Sequence, residues 1–464
     1  MAGGTQRVVI IGLGRQGWAL ARQFLKLWGD TPGPELYVYD VSTAREDLLL
    51  PGAPGHAATS AAPAHRAYAA ERLHRLRTVD PDPAAAIAKL RPDVLVNAAT
   101  FTGHEFYTRA AVAADCDYVD LGQNTWQAMK QRALDGYIRD AGHRMRIVPE
   151  CGLAPGLGNI LGAWLAGFGG DSLQIRVGGL PMDTAKGGDL HYGLSWSLDG
   201  LIQEYIDATV ARQDGRLISL IGLSSQPDRE DPQRGGIGVA PFPIRDPALG
   251  QRLSAHMQPQ FLTPAAGGWQ IGHLEARPTS DGISLMPFDR AFDGLQQMEY
   301  KTLRYHAHFD VVERLLQDPA MRETMRDQLE SAVPDLVLLR VWLAQAGTPV
   351  ALVEGVALCD AGLETAPGGD LTAEPLFTAM QHLTGWPTVL VGQALLEDRA
   401  GAGSVRPDLF RADHTLWSGR PLDAALRTGG VIMPYELVDG RRMLDRLDSD
   451  ALIPQREFHR RLPA

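Results

Sequence analysis

The chain has 464 residues, 45% of them hydrophobic and 21% charged, with a formal net charge of −11 at pH 7. This composition predicts a globular protein of roughly two to four domains and excludes a fibre or a disordered chain. The negative net charge disfavours nucleic-acid binding. No apolar run approaches ~18 residues and no signal-peptide pattern is found, which disfavours a membrane or secreted protein. The three cysteines are consistent with a reducing cytoplasm.

The first predicted element is a strand followed by a glycine turn and a helix. Residues 8–11 are β-branched and apolar, and apolar residues at helical spacing follow the glycines. In dinucleotide-binding folds such glycines allow a tight turn, close approach of the backbone to a pyrophosphate, and packing of helix against strand. The N-terminus of the helix attracts the phosphates. The predicted cofactor-binding residues of this turn are Gly12, Gly14, Arg15, Gln16 and Gly17.

A second strand, "ELYVYD", ends at Asp40. A carboxylate at this position can accept hydrogen bonds from the ribose hydroxyls and would repel a 2′-phosphate, which favours NAD over NADP. Arg45 follows closely and leaves NADP open as the weaker alternative. Residues 51–72 are rich in Ala, Pro and His and are predicted to form a surface insertion.

Three further short apolar runs, over residues 93–100, 117–122 and 144–152, alternate with helical patterns. This alternation is typical of a parallel sheet in an α/β domain. Ala98 and Ala99 end the first of these strands and Thr100 opens the loop after it; small residues there would let a cofactor lie against the backbone, and ordinary close packing is the alternative. After Gly152 short strands dominate, as in an α+β domain, and a helical pattern returns near Glu374.

Six segments carry a pattern more specific than the glycine turn. They are "DVLVNAATFTGHEFYTRAAVAADCDYVDLG" (93–122), "ECGLAPGLGNILG" (150–162), "VGGLP" (177–181), "LHYGLSWSLDGLIQEY" (190–205), "GHLEARPTSDGISLMP" (272–287) and "YKTLRYHAHFD" (300–310). Together they resemble the saccharopine dehydrogenase and lysine 6-dehydrogenase superfamily, most closely its bacterial L-lysine 6-dehydrogenase-like branch.

The resemblance implies an α/β fold with three parts. These are an N-terminal Rossmann dinucleotide-binding domain (1–150), an α+β substrate-binding and dimerisation domain (151–373), and a C-terminal helical segment (374–464) that packs back on the Rossmann domain. A cytoplasmic homodimer is expected.

The resemblance also implies a reaction: hydride transfer between an amine-bearing carbon and NAD. The leading hypothesis is oxidation of the side-chain amine of L-lysine to a semialdehyde, which cyclises to a ring imine. Two alternatives stay open. The same step could run reductively, joining a semialdehyde to an amino-acid or polyamine donor as in saccharopine or carboxynorspermidine formation, or the chain could bind a dinucleotide without catalysis.

A carboxylate is needed to hold the substrate cation, because the amine must lose a proton before its carbon can lose hydride. Glu204 is the preferred candidate, since relatives that form polyamines use a similarly spaced Trp and Glu; Trp196, eight residues earlier, would offer a cation–π face. A surface Glu and a core Trp are the alternative. Asp120, at the end of a parallel strand, is the second catalytic candidate, with capping of its turn as the alternative.

Arg304 in "KTLRY" is the candidate ligand of a substrate carboxylate, because a guanidinium suits that geometry; a structural ion pair is the alternative. Four other residues are named as substrate-binding with weaker reasons: Tyr192 and Tyr205 for hydroxyl contacts, His308 as a polar contact or proton relay, and Cys151 as a small lining residue. His306, His308 and Asp310 lack further clustered ligands, so no metal is predicted.

Overall fold

The computed structural model describes residues 5–12, 14–28, 33–39, 73–76, 83–122, 124–183, 188–193, 196–223, 228–229, 237–280, 282–329, 334–358, 377–399, 409–410, 422–449, 453 and 455–463. Asp40 and the predicted insertion at 51–72 lie outside the described residues. The described chain divides into two compact units. The first comprises residues up to Leu157 and from Thr384 to Arg442; the second comprises residues from Gly158 to 358, from 377 to Leu383 and from Met443 onward.

The strands are, in chain order, β1 (Arg7–Ile11), β2 (Glu35–Tyr39), β3 (Leu73–Leu76), β4 (Val94–Asn97), β5 (Asp117–Asp120), β6 (Arg146–Val148), β7 (Ser172–Pro181), β8 (Ala208–Gln213), β9 (Arg216–Ile221), β10 (Asp228–Arg229), β11 (Phe242–Ile244), β12 (Leu262–Ala265), β13 (Gly268–Ile271), β14 (Leu274–Arg277), β15 (Gln297–Tyr305), β16 (Asp335–Gln345), β17 (Thr348–Leu358), β18 (Gly430–Val431) and β19 (Arg456–Arg461).

The α-helices are α1 (Arg15–Trp28), α2 (Pro83–Leu90), α3 (His104–Ala114), α4 (Thr125–Arg132), α5 (Leu134–Asp140), α6 (Leu157–Ala166), α7 (Leu198–Ile206), α8 (Pro247–Ser254), α9 (His308–Leu315), α10 (Met321–Leu329), α11 (Ala379–Arg399), α12 (Leu422–Thr428), α13 (Pro434–Leu437) and α14 (Gly440–Ser449). Within the described residues, no helix combines the length and the apolar character needed to cross a bilayer.

The first unit is built on a parallel sheet with the strand order β18-β6-β5-β4-β1-β2-β3. The apolar strands are covered on both sides; Val9, Leu95 and Ile147, for example, are buried in one cluster with Tyr118. The order from β6 to β3 is the doubly wound order. The strand order reverses between β1 and β4, because the chain adds β2 and β3 on one side of β1 and then β4, β5 and β6 on the other. In such sheets ligands bind at the carboxyl ends of the strands where this reversal occurs. The predicted α/β Rossmann fold is confirmed.

The later segment from Thr384 to Arg442 contributes to this unit through both backbone and charge. Strand β18 pairs in parallel with β6. The fully buried carboxylate of Asp117 on β5 accepts hydrogen bonds from Arg146 on β6 (Nε to Oδ1, 3.1 Å) and from Arg399 at the end of α11 (Nε to Oδ2, 2.7 Å). Burial alone would raise the pKa of Asp117, but the two guanidinium groups lower it below its ordinary value.

The second unit is built on a mixed sheet with the order β10-β14-β15-β7-β16-β17-β19. Strands β15 and β7 are parallel, whereas β14 pairs with β15, and β16 with β7 and β17, in the antiparallel sense. A three-stranded sheet, β11-β13-β12, contributes Phe242 and Ile271 to an apolar cluster that also includes Leu303 of β15. Because side chains alternate along a strand, Thr302 and Arg304 lie on the face of β15 opposite to Leu303.

Candidate functional site

The glycine turn of the first unit has a backbone that larger residues could not adopt. Gly12 has a φ of +85°, and a Cβ built on it would lie 2.9 Å from the backbone N of Ala99. A Cβ on Gly17 would lie 1.7 Å from the carbonyl oxygen of Gly12. By contrast, among the described residues no atom lies within 4 Å of a Cβ built on Gly14. The turn therefore packs closely at Gly12 and Gly17 and stays open at Gly14, where a pyrophosphate would lie.

Hydrogen bonds fix this turn against the neighbouring strand ends. The N–H of Gly12 donates to the carbonyl of Tyr39 (2.8 Å), and that of Ala98 donates to the carbonyl of Ile11 (2.8 Å). The buried Asn97 donates to the hydroxyl of Tyr118 (2.9 Å) and accepts from the N–H of Ala99 (3.0 Å). The ends of β1 and β4 thus form a closely packed, hydrogen-bonded cradle at the start of α1, the kind of place where a helix N-terminus can bind a phosphate.

The other predicted cofactor residues lie beside this cradle. Arg15 and Gln16 form the start of α1, directly after Gly14. Thr100 is exposed, and its hydroxyl lies 3.0 Å from that of Thr102. The role predicted for Asp40 falls outside the described residues.

The second unit holds a polar cluster around Glu204 on α7. Its Oε1 accepts hydrogen bonds from the hydroxyl groups of Thr279 (3.0 Å) and Thr302, and its Oε2 lies 3.3 Å from Nη2 of Arg304. The Glu204 side chain is 13% exposed and that of Arg304 is 4% exposed. Glu204 is therefore part of a largely buried ion pair and not a surface carboxylate.

A chain of hydrogen bonds leads from Arg304 into the interior. Its Nε donates to the hydroxyl of Tyr205 (3.1 Å), which lies 2.8 Å from Nε2 of His308; Nδ1 of His308 lies 2.7 Å from the carbonyl oxygen of Leu190. Since a carbonyl can only accept, Nδ1 of His308 carries the proton, and the Tyr205 hydroxyl donates to Nε2. Every hydrogen bond in this series therefore has a defined donor and a defined acceptor.

Burial sets the protonation states in this chain. It lowers the pKa of His308 to about 3, and the nearby Arg304 cation adds to that shift. Burial also raises the pKa of Tyr205 above its ordinary value, although Arg304 opposes this. Both His308 and Tyr205 are therefore neutral at physiological pH.

The ring of Tyr192 flanks the Arg304 guanidinium, and Trp196 in turn contacts Tyr192. The Cζ of Arg304 lies 4.7 Å from the ring centroid of Tyr192, a cation–π distance. Nε1 of Trp196 donates to the hydroxyl of Tyr192 (3.1 Å), and the partly exposed Trp196 packs against the apolar cluster that contains Tyr192 and Tyr205. The structure thus brings together six of the residues singled out in the sequence: Tyr192, Trp196, Glu204, Tyr205, Arg304 and His308.

The other two candidates, Asp120 and Cys151, lie in the first unit. Asp120 is fully buried; its Oδ1 accepts from the N–H of Gly122 (2.8 Å) and of Glu150 (2.9 Å), and its Oδ2 accepts from Gln131 (2.6 Å). These contacts are those of a carboxylate that holds a turn. Cys151 is also fully buried, and burial raises the pKa of its thiol, which leaves it protonated.

Sequence reasoning missed Thr279 and Thr302, which donate to Glu204 from 75 and 98 residues away. Both stand in quoted segments, "GHLEARPTSDGISLMP" and "YKTLRYHAHFD". The available signal was the alternation along β15, because Thr302 and Arg304 are two residues apart and share one face of the strand.

No family model matches the chain. Among solved structures, saccharopine dehydrogenase (L-Glu forming) from Saccharomyces cerevisiae has 14% sequence identity and a TM-score of 0.56, over 98% of this chain and 100% of that chain. Amine dehydrogenase from Mycobacterium smegmatis has 12% identity and a TM-score of 0.35, over 85% of this chain and 93% of that chain. The first comparison shows a shared fold along almost the whole length of both proteins.

Proposed function

We propose that this protein is an NAD-dependent oxidoreductase that acts on the carbon–nitrogen bond of an amino acid, with the side-chain amine of L-lysine as the leading substrate. The assignment as an oxidoreductase rests on the glycine cradle, which lies where the strand order of the first unit's sheet reverses. When bound there, a nicotinamide dinucleotide supplies the hydride acceptor. The fold shared with saccharopine dehydrogenase supports the same reaction class.

The polar cluster of the second unit supports an amino-acid substrate. An amino acid carries one carboxylate and at least one ammonium group, and the cluster presents Arg304 and Glu204 as a matched cation and anion. In the proposed complex the substrate ammonium replaces the guanidinium at Oε2 of Glu204, while the substrate carboxylate takes its place beside Arg304. Glu204 and Arg304 would therefore each exchange one partner for a substrate group of the same charge, and neither would be left unpaired. This limits the free-energy cost of opening a buried salt bridge.

Glu204 would then hold the nitrogen while it loses a proton to water, a step required before hydride can leave the neighbouring carbon. His308 is proposed to position the site and not to act as the base. Its Nε2 already faces the Tyr205 hydroxyl and its Nδ1 faces the Leu190 carbonyl. Thr279 and Thr302 fix the carboxylate by donating to its other oxygen.

The test is absorbance at the reduced-nicotinamide band, with purified protein, NAD and L-lysine at alkaline pH, where more of the amine is neutral. A rise with NAD that is weaker with NADP and lost in Glu204→Gln supports the proposal. Asp199→Asn, an exposed carboxylate on the same helix, is the matched control and should retain activity. No rise with lysine, together with NADH consumption from a semialdehyde and an amine donor, would reverse the proposed direction; dinucleotide binding without turnover of either mixture would remove the catalytic assignment.

A further inference from the structure

Strand β9 in the second unit has an unusually apolar and exposed edge. In the part of the chain that the structure describes, it pairs only with β8, in the antiparallel sense. Leu217 is 46% exposed and Ile221 is 67% exposed, and Ile206, just before β8, is 46% exposed. An unpaired strand edge offers a row of backbone donors and acceptors, and exposed apolar side chains along it favour pairing with another strand.

The edge strand at the other side of the same unit is protected in a way that β9 is not. Strand β19 has the sequence "REFHRR", and three arginines and a glutamate stand among its six residues. Charged side chains of this kind discourage edge-to-edge pairing. In β9, only Arg216 at the start is charged, and the next five residues, "LISLI", carry no charge and no proline. Protection against pairing is therefore present at one edge and missing at the other.

The sequence of β9 is self-complementary about Ser219. Read in either direction, residues 217–221 give two apolar residues, a serine and two apolar residues. If two copies of the strand pair antiparallel with Ser219 opposite Ser219, Leu217 faces Ile221 and Ile218 faces Leu220. Every cross-strand pair except the central one is then apolar, and the small serine lies at the two-fold axis.

The same register also places opposite charges at each end of the pair. Arg216 of one copy would stand opposite Gly222 of the other, and the N–H of Gly222 donates to the carbonyl of Asp207 in the same copy (2.9 Å). Arg216 and the second copy's Asp207 would then lie on one face, two strand spacings or about 10 Å apart at Cα. This is within the combined reach of the two side chains, and the two-fold axis creates the contact twice.

We propose that β9 is the interface for a second copy of this chain, and that two β9 strands pair antiparallel about an axis at Ser219. The pairing joins two copies into one sheet through β8 and β9 of each, with complementary charges from Arg216 and Asp207 at both ends. The partner is a second copy, because the strand's own pattern and its flanking charges match each other.

The first test measures molar mass in solution by light scattering on a size-exclusion column over a range of concentrations. The wild-type chain should elute as a dimer, and Ile221→Lys should shift it to the monomer because the lysines would face an apolar side chain across the pair. Phe168→Lys is the control, since Phe168 is also an exposed apolar residue (39%) of this unit but lies outside β9. A monomeric wild type, or a dimer that survives Ile221→Lys, overturns the proposal.

Cysteine cross-linking tests the register of the two β9 strands with a readout that does not depend on weakening the dimer. In a Cys359→Ser background, Ser219→Cys should form a disulfide between copies under mild oxidation, because directly opposite residues have Cα atoms about 4.5–5.5 Å apart, within the range that a disulfide spans. Leu217→Cys should not, because the two 217 positions lie four residues, or about 13 Å, apart along the strands. The native Cys116 and Cys151 are fully buried and serve as the unreactive background. Equal cross-linking by both variants, or by neither, contradicts this register.

A charge exchange gives an independent test of the ends. Arg216→Asp and Asp207→Arg should each weaken the dimer, and the double variant should restore it. Within one copy the two positions are separated by the length of β9, about 20 Å, so recovery in the double variant can only come from a contact between copies. Failure of the double variant to dimerise, in a chain with unchanged thermal stability, overturns the charge pairing.

Discussion

The guanidinium of Arg304 and the carboxylate of Glu204 neutralise each other inside the second unit, with 3.3 Å between Nη2 and Oε2. Removing both charges from water is costly, and such a pair contributes little stability by itself. Breaking it is different, because the remaining charge stays buried without a partner. The pair is therefore weak evidence for a stabilising role. We propose that it serves ligand binding, and a substitution of Arg304 distinguishes the two roles.

Replacing Arg304 by Met should lower the free energy of unfolding by about 3 kcal/mol, because Glu204 loses its cation. If the proposed exchange is correct, kcat/KM for lysine should also fall by about 100-fold, while a diamine without a carboxylate should lose less. Arg277→Met is the matched control, since Arg277 is likewise buried and pairs with a glutamate, Glu313. An equal loss for both substrates would assign Arg304 a purely structural role.

His308 should make stability depend on acidity. Its pKa is lowered to about 3 in the folded protein by burial first and Arg304 second, against about 6.5 when unfolded. The unfolded chain therefore binds the proton more readily than the folded chain. The contribution of neutral His308 to the free energy of unfolding is complete above pH 6.5 and is lost as the pH falls toward 3. The slope in this range is up to about 1.4 kcal/mol per pH unit.

Urea denaturation between pH 4 and pH 7 measures this contribution. The difference in unfolding free energy between wild type and His308→Gln should shrink as the pH falls. A pH-independent difference for His308→Gln would mean that the folded protein accommodates the imidazolium.

The fold of the first unit could be predicted from sequence because its signals are local. Each buried strand is a short apolar run, and the turn after β1 carries glycines whose packing the structure explains atom by atom. Strand β18 could not be found this way. It has two residues and exists only because they pair with β6, almost 300 residues earlier in the chain.

The candidate site shows the same division. The sequence predicts Glu204 and Trp196 as a spaced pair, from the resemblance to polyamine-forming relatives, and predicts Arg304 separately, from its place in "KTLRY" and the suitability of a guanidinium for a carboxylate. That Glu204 and Arg304 pair with each other depends on how α7 meets the face of β15, and no spacing along the chain encodes this contact across 100 residues. Arg304 was given both a ligand-binding and an ion-pair interpretation, and the geometry supplies the ion pair with Glu204 as its partner.

Asp120 and Glu204 should respond differently to loss of charge. Asp120 receives two backbone N–H groups and the Gln131 amide, so Asp120→Asn should destabilise the protein by about 1–3 kcal/mol through mismatched donors. Activity per folded molecule should change little if this carboxylate only holds its turn. Thermal unfolding and steady-state rates of Asp120→Asn beside Glu204→Gln measure both quantities. A loss of kcat with unchanged stability would establish Asp120 as the catalytic carboxylate instead.

Gly14 and Gly17 provide a test of the cofactor site that separates folding from binding. A Cβ at Gly17 would overlap the carbonyl oxygen of Gly12, so Gly17→Ala must displace the turn and should lower the melting temperature by several degrees. A Cβ at Gly14 meets no described atom within 4 Å, so Gly14→Ala should leave the melting temperature unchanged. If the pyrophosphate lies against Gly14, the added methyl group must nevertheless weaken NAD binding, by about tenfold or more, in a calorimetric titration. Unchanged affinity in Gly14→Ala would place the phosphates elsewhere, whereas reduced affinity at full stability would locate the ligand at this turn without recourse to turnover.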